Sequence, residues 1–166
     1  MRLILASASP RRLDLLARIG VTPDAVVPAE IDETPHPGEL PARYAARMSA
    51  AKAAAVAEPG ALTLGADTVV AVGRRILPKA EDEAEARAAL ALMSGRRHRV
   101  HSAVTLIDAE GRARHRLSTT IVIFKRLSAE ELDAYIASDE WRGKAGGYAI
   151  QAVSYTHLTL PTIYSV

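Results

Sequence analysis

Two arginines follow Ser7-Ala8-Ser9-Pro10 in this chain, and residues of those types at that spacing could bind an anion. Serine hydroxyls, the free N–H groups of a helix start and two guanidinium forks converge well on one phosphate. The positive end of a helix dipole disfavours Arg11 and Arg12 by about 0.3–1 kcal/mol each at a surface, a conflict that a bound anion removes. The same residues also suit an ordinary capped helix whose arginines bend away into water. Asp67 is a second candidate, because it interrupts the apolar run from Leu62 to Val72. A carboxylate there needs a cation, a metal or several hydrogen-bond donors, and Gly65 and Ala66 beside it leave room for a ligand. Backbone N–H groups at a strand end would satisfy it equally well. Glu33 lies among Glu30, Asp32, Pro35, Pro37 and Pro41, a composition for an exposed active-site loop or a solvated connector. Lys52 sits at the edge of an apolar helical face, where a lysine ordinarily runs its stem out to water. From Trp141 to Gln151 the chain is basic and glycine-rich, so a phosphate or base could approach its backbone. It lacks the glycine spacing and the Ser/Thr of a Walker motif.

The elements that must hold these residues follow from local pattern. Leu3 to Ala6 reads as a buried strand, and Ser9 with Pro10 starts a helix whose inward residues are Leu13, Leu16 and Ile19, ended by Gly20. Val26 to Ala29 reads as a short strand. A helix over residues 41–57 has Tyr44, Met48, Ala51 and Ala55 on one face, and Glu58-Pro59-Gly60 ends it. Residues 62–72 form the most strand-like segment. Asp82 and Glu85 have the spacing of a capping box, opening a helix with Ala86, Ala89, Leu90 and Met93 inward and Gly95 at its end. The basic cluster Arg96, Arg97, His98, Arg99 and His101 then suits a helix C-terminus. Alternating runs over residues 99–106 and 117–124, on either side of a turn at Asp108–Gly111, predict a β-hairpin, and Ser128 with Glu131 a last helix.

With 166 residues, 49% hydrophobic and 24% charged, the chain has the composition of one globular domain. Twenty-one basic against 19 acidic side chains leave a net charge of only +2, which gives nucleic-acid binding little support. The absence of cysteine excludes disulfides, thiolate zinc sites and a cysteine nucleophile, and it suits a cytoplasmic protein. No apolar stretch is long enough to span a membrane.

Taken in order, several segments together resemble the Maf family of nucleoside triphosphate pyrophosphatases. They are Ser7-Ala8-Ser9-Pro10-Arg11-Arg12, the Glu33 loop, Lys52-Ala53, Gly65-Ala66-Asp67-Thr68, Lys79, Ser94-Gly95-Arg96 with His98 and Val100, and Lys144 to Gln151. The resemblance implies an α/β fold, a twisted mixed sheet with flanking helices in two lobes around a nucleotide cleft. It implies hydrolysis of a nucleoside triphosphate to the monophosphate and pyrophosphate, clearing surplus or non-canonical nucleotides, with a divalent cation, Mg²⁺ or Mn²⁺. Carried over, Asp67 is the general base for the attacking water or a ligand of the metal, and Glu33 a second oxygen ligand. Arg11, Arg12, Lys52 and Lys79 would neutralise the triphosphate and the departing pyrophosphate, Ser7 and Ser9 would donate hydrogen bonds, and Lys144 would join the substrate contacts. Arg11, Thr68 and Gln151 match positions that go with a pyrimidine substrate, dTTP or UTP, whose base edge a glutamine amide can meet. A homodimer is compatible with the resemblance. So is the alternative of a nucleotide-binding regulator of septum formation that acts without catalysis.

After Gln151 the resemblance stops. The family continues with a glycine, an apolar strand, a Gly-Ser-Tyr segment and a Gly-Leu-Pro turn before a final helix, whereas residues 152–166 resemble translated adapter sequence. The expectation is a Maf-like domain at residues 1–151, C-terminally incomplete, followed by a non-native tail at 152–166.

Overall fold

The computed structural model describes residues 1–149 and the backbone of residues 159–165. Its elements run β1 (Leu3–Ala6), α1 (Pro10–Arg18), β2 (Ala25–Val26), α2 (Pro41–Ala55), β3 (Leu62–Val72), β4 (Arg75–Leu77), α3 (Glu83–Met93), β5 (Arg97–Ile107), β6 (Ala113–Phe124), α4 (Ala129–Ala137) and β7 (Thr159–Ser165). The sheet has the order β2-β1-β3-β5-β6-β7, with β4 paired to β3. Strand β1 is parallel to β2 and β3, while the β3–β4 and β6–β7 pairs are antiparallel, so the fold is mixed α/β as expected. The chain divides into two compact units, Met1–Asp67 with Ser102–Leu117 and Thr68–His101 with Ser118–Val166.

In the first unit β1 and β3 run in parallel register, Leu3 opposite Leu62 and Ala6 opposite Gly65. Ile4 and Leu5 are buried, as are Ala45, Met48 and Ala53 of α2. Helix α1 departs from expectation, since none of its residues is buried and Ile19 is 71% exposed. The helix ends at Arg18, so Ile19 is a capping residue beyond the last turn and the expected inward face is not completed. Strand β2 is shorter than the predicted 26–29 and begins one residue earlier. In α2 the buried stripe is Tyr44, Ala45, Met48, Ser49, Lys52 and Ala53, whereas Ala55 is exposed. Lys52 is therefore inside rather than at a wet edge. Gly65 explains the rotation of that face: a Cβ there would stand 2.3 Å from the Ser49 carbonyl oxygen and 2.8 Å from Ala53 Cβ. Strand and helix meet at backbone distance, and the helix must turn its small residues and Lys52 toward β3.

In the second unit Leu90, Met93, Val122, Phe124 and Trp141 anchor the core. Asp82 caps α3 by accepting the Glu85 N–H at 2.8 Å, but the Glu85 carboxylate accepts from Glu81 rather than closing the box. The box of α4, Ser128 with Glu131, is complete. Most of the basic cluster is not a helix terminus: Arg97 to His101 lie in β5, with Arg97 and Arg99 exposed and His98 and His101 buried. The glycines of the basic loop serve packing, because Gly146 and Gly147 have φ of 66° and 72° and a Cβ at Gly146 would lie 2.9 Å from Val70 Cγ1.

Candidate active site

Seven of the predicted site residues fall in the first unit, and five of those are brought into one electrostatic cluster. The close contact at Gly65 places Asp67, two residues further along the same strand face, against α2. There Lys52 Nζ donates to Asp67 Oδ1 at 2.7 Å, with both side chains 8% exposed. The same ammonium meets Glu33 Oε2 at 3.1 Å. One helical lysine thus joins a buried strand carboxylate to a carboxylate from the acidic loop.

The turn after β1 contributes the cationic side. Ser9 occupies the N-cap of α1 but its side chain makes no cap bond. Instead Ser7 Oγ accepts the Ser9 N–H at 3.1 Å and Arg12 Nη1 at 2.8 Å. A hydroxyl has two acceptor lone pairs and one proton, so among the described residues Ser7 accepts both bonds and keeps its proton to donate. Burial lowers the pKa of Arg12, opposed by the negative charges of Asp67 and Glu33, and the adjacent Arg11 also lowers it. Arginine stays charged through such shifts. Arg12 is therefore a partly desolvated cation held in the field of the two carboxylates.

Those carboxylates also test the expected metal. Magnesium keeps much of its water and is commonly held by one or two carboxylates together with substrate phosphates. Asp67 and Glu33 both reach the Lys52 ammonium, so two carboxylates lie close together, and that donor set fits the requirement. Among the described residues no group of three or more His, Cys, Asp or Glu could cage an ion, so a closed all-protein site does not fit.

Thr68, Lys79 and Lys144 belong to the second unit. Thr68 and Lys79 are exposed and Lys144 is half-buried. Lys79 pairs with Ala145 in an isolated antiparallel bridge, and the Ala80 N–H donates to the Lys144 carbonyl at 3.2 Å, so the two lysines lie on facing backbone segments. Gln151 lies outside the described residues.

Three residues near Glu33 were not read as site residues from the sequence. Tyr44 Oη donates to the Glu33 carbonyl oxygen at 2.6 Å, and Arg47 makes a two-pronged pair with Glu39, both contacts at 2.7 Å. Burial, followed by the charges of Asp67 and Glu33, pushes the Tyr44 hydroxyl up to about 12, which keeps its proton in place. The hydrogen bond to Arg47 pulls Glu39 down to about 2, so this pair stays ionised across the neutral range. The available sequence signal was an arginine one turn from Tyr44 on a helix that follows an acidic loop. That pattern alone does not say whether the arginine meets the loop or water.

A family model described as Maf-like protein matches residues 2–159. A dTTP/UTP pyrophosphatase of Novosphingobium aromaticivorans is 62% identical over 151 residues, covering 90% of this chain and 75% of that protein. Proteins of the same name from Paramagnetospirillum magneticum and Caulobacter vibrioides are 62% and 59% identical, covering 92% and 95% of this chain and 81% and 82% of theirs. Among solved structures, a nucleoside-triphosphatase / dITP/XTP pyrophosphatase of Mycobacterium abscessus is similar in fold, with a TM-score of 0.52 at 21% identity, covering 78% of this chain and 75% of that one.

Proposed function

The chain belongs to the Maf family, and from that membership we propose that it is a nucleoside triphosphate pyrophosphatase acting on dTTP and UTP. It hydrolyses the triphosphate to the nucleoside monophosphate and pyrophosphate. Water supplies the new P–O bond, the anhydride bond between the α- and β-phosphates breaks, and its electron pair leaves with pyrophosphate. The observation that carries the site assignment is the contact of Lys52 with both Asp67 and Glu33 in the unit that also holds Ser7 and Arg12.

On this reading Asp67 takes the proton of the attacking water. Asp67 and Glu33 would hold Mg²⁺ or Mn²⁺, which when bound supplies Lewis-acid polarisation of phosphoryl oxygens. Arg12 and Lys52 offset charge on the phosphates as it moves to the leaving oxygens, with Arg11 beside them. Ser7 donates its remaining proton to a phosphate oxygen, and Ser9 contributes at the helix start. From the motif match alone, Thr68, Lys79, Lys144 and Gln151 are further substrate contacts. The site of action proposed is the cytoplasm. Among the described residues no helix is long and apolar enough to cross a membrane.

A panel of nucleoside triphosphates assayed for pyrophosphate with Mg²⁺ tests the proposal. We expect release from dTTP and UTP, and a fall in kcat by about 10²–10⁴ in Asp67→Asn, the range typical of losing a positioned base. Wild-type turnover in that variant removes Asp67 from the chemistry, and no release from any nucleotide by the parent protein overturns the activity.

A further inference from the structure

Glu33 presents a positioning problem. It lies between β2 and α2 on a segment without regular secondary structure, its side chain is 41% exposed, and yet its carboxylate meets the ammonium of a buried lysine. Holding one rotamer-rich side chain of a loop in place costs conformational entropy, and a ligand must be held within about 0.5 Å of its productive geometry to be effective.

The structure contains a device that meets this cost. Tyr44 Oη holds the Glu33 carbonyl oxygen at 2.6 Å, and Arg47 Nη2 holds the next carbonyl, that of Thr34, at 3.1 Å. Arg47 also grips Glu39 through Nε and Nη2. Glu39 Oε2 in turn accepts the His36 N–H at 2.9 Å, and the Glu39 N–H returns to the His36 carbonyl at 3.0 Å. The Arg47 guanidinium lies 5.4 Å from the centroid of the Tyr44 ring, so the two tethers support one another. Tyr44, Arg47 and Lys52 all belong to α2. One rigid helix therefore fixes both the backbone at Glu33 and the cation that its carboxylate meets.

We propose that Arg47, through its bidentate pair with Glu39 and its bond to the Thr34 carbonyl, is a positioning residue that sets Glu33 as a ligand for the divalent cation, with Tyr44 as its partner. This rests on the pyrophosphatase reading and adds a residue pair to it. Lysine at position 47 keeps the charge but cannot form the planar two-pronged contact, so Arg47→Lys separates geometry from charge. Glu39→Gln weakens the same pair from the other side at nearly constant shape.

The test measures Mn²⁺ affinity of the nucleotide-free protein by electron paramagnetic resonance, alongside kcat and KM for dTTP, in Arg47→Lys, Glu39→Gln, Glu33→Gln and the Arg47→Lys/Glu33→Gln double variant. We expect Arg47→Lys and Glu39→Gln to weaken Mn²⁺ binding by about 10-fold, at the lower end of the effect of removing a group that orients a metal ligand. The Mg²⁺ concentration for half-maximal turnover should rise in step, with little change in dTTP KM at saturating Mg²⁺. In the Glu33→Gln background, Arg47→Lys should have no further effect on Mn²⁺ affinity. Multiplying effects of the two substitutions overturn the proposal, since a general structural role would act independently of Glu33. Unchanged Mn²⁺ affinity in both Arg47→Lys and Glu39→Gln, or in Glu33→Gln, overturns it as well. The pyrophosphatase reading fails separately, on the parent protein and Asp67→Asn.

Discussion

Lys52 and Asp67 each retain 8% of their side-chain exposure, so both ions have given up most of their hydration and depend on one another. Removing one partner from such a pair costs about 3–5 kcal/mol, whereas removing both charges together can be nearly neutral. Lys52→Met should therefore lower the urea-unfolding free energy by up to about 3–5 kcal/mol, an order-of-magnitude figure for a buried carboxylate that loses its directly bonded partner. The double variant Lys52→Met/Asp67→Asn should recover part of that loss, and strictly additive losses would show that the two charges are not coupled. Asp67 was legible in the sequence because a charge amid β-branched apolar residues is conspicuous. The environment of Lys52 was not, because a lysine at the border of an apolar face satisfies water and a buried partner equally well until the facing surface is known.

At the scale of elements, the approach of β3 to α2 decides the site. A methyl group at position 65 would meet the Ser49 carbonyl oxygen at 2.3 Å, and backbone atoms on both sides leave little to yield. Gly65→Ala should destabilise the protein by about 1–3 kcal/mol or more, the usual range for overpacking, measured as a shift in the urea midpoint. It should also reduce turnover of dTTP at concentrations of urea where the variant is still folded, because separating the two elements draws Asp67 away from Lys52. The capped starts of α3 and α4 and the hairpin turn at Asp108–Gly111 could be read directly, since caps and turns are contacts among neighbours in the chain. The inward face of α2 could not, and neither could the grip of Arg47 on the loop. Both depend on what a distant segment offers.

At the scale of the whole molecule, His98 sets an acid limit. It is 2% exposed in the core of the second unit, with Nε2 2.5 Å from the Tyr148 hydroxyl and its ring edge-on to Phe124. Burial holds it neutral by lowering its pKa from 6.5 to about 4. The unfolded chain binds this proton first, so the stability contributed by the neutral ring is complete above pH 6.5 and is lost as pH falls toward 4. The loss is on the order of 3 kcal/mol by linkage. His98→Gln should flatten the dependence of unfolding free energy on pH in that window, and an unchanged slope would place the acid sensitivity elsewhere. By itself the sequence determined which chemistry was available and the order of motifs that marks the family. It also determined most element types, because charge, capping and turn formation are properties of residues close in the chain. Only the tertiary structure decided that Lys52 is buried, that it joins Asp67 to Glu33, and that Tyr44 and Arg47 hold the loop in place. Those contacts depend on a close passage of strand against helix at Gly65 and on a loop folding back onto that helix, and no local periodicity encodes either.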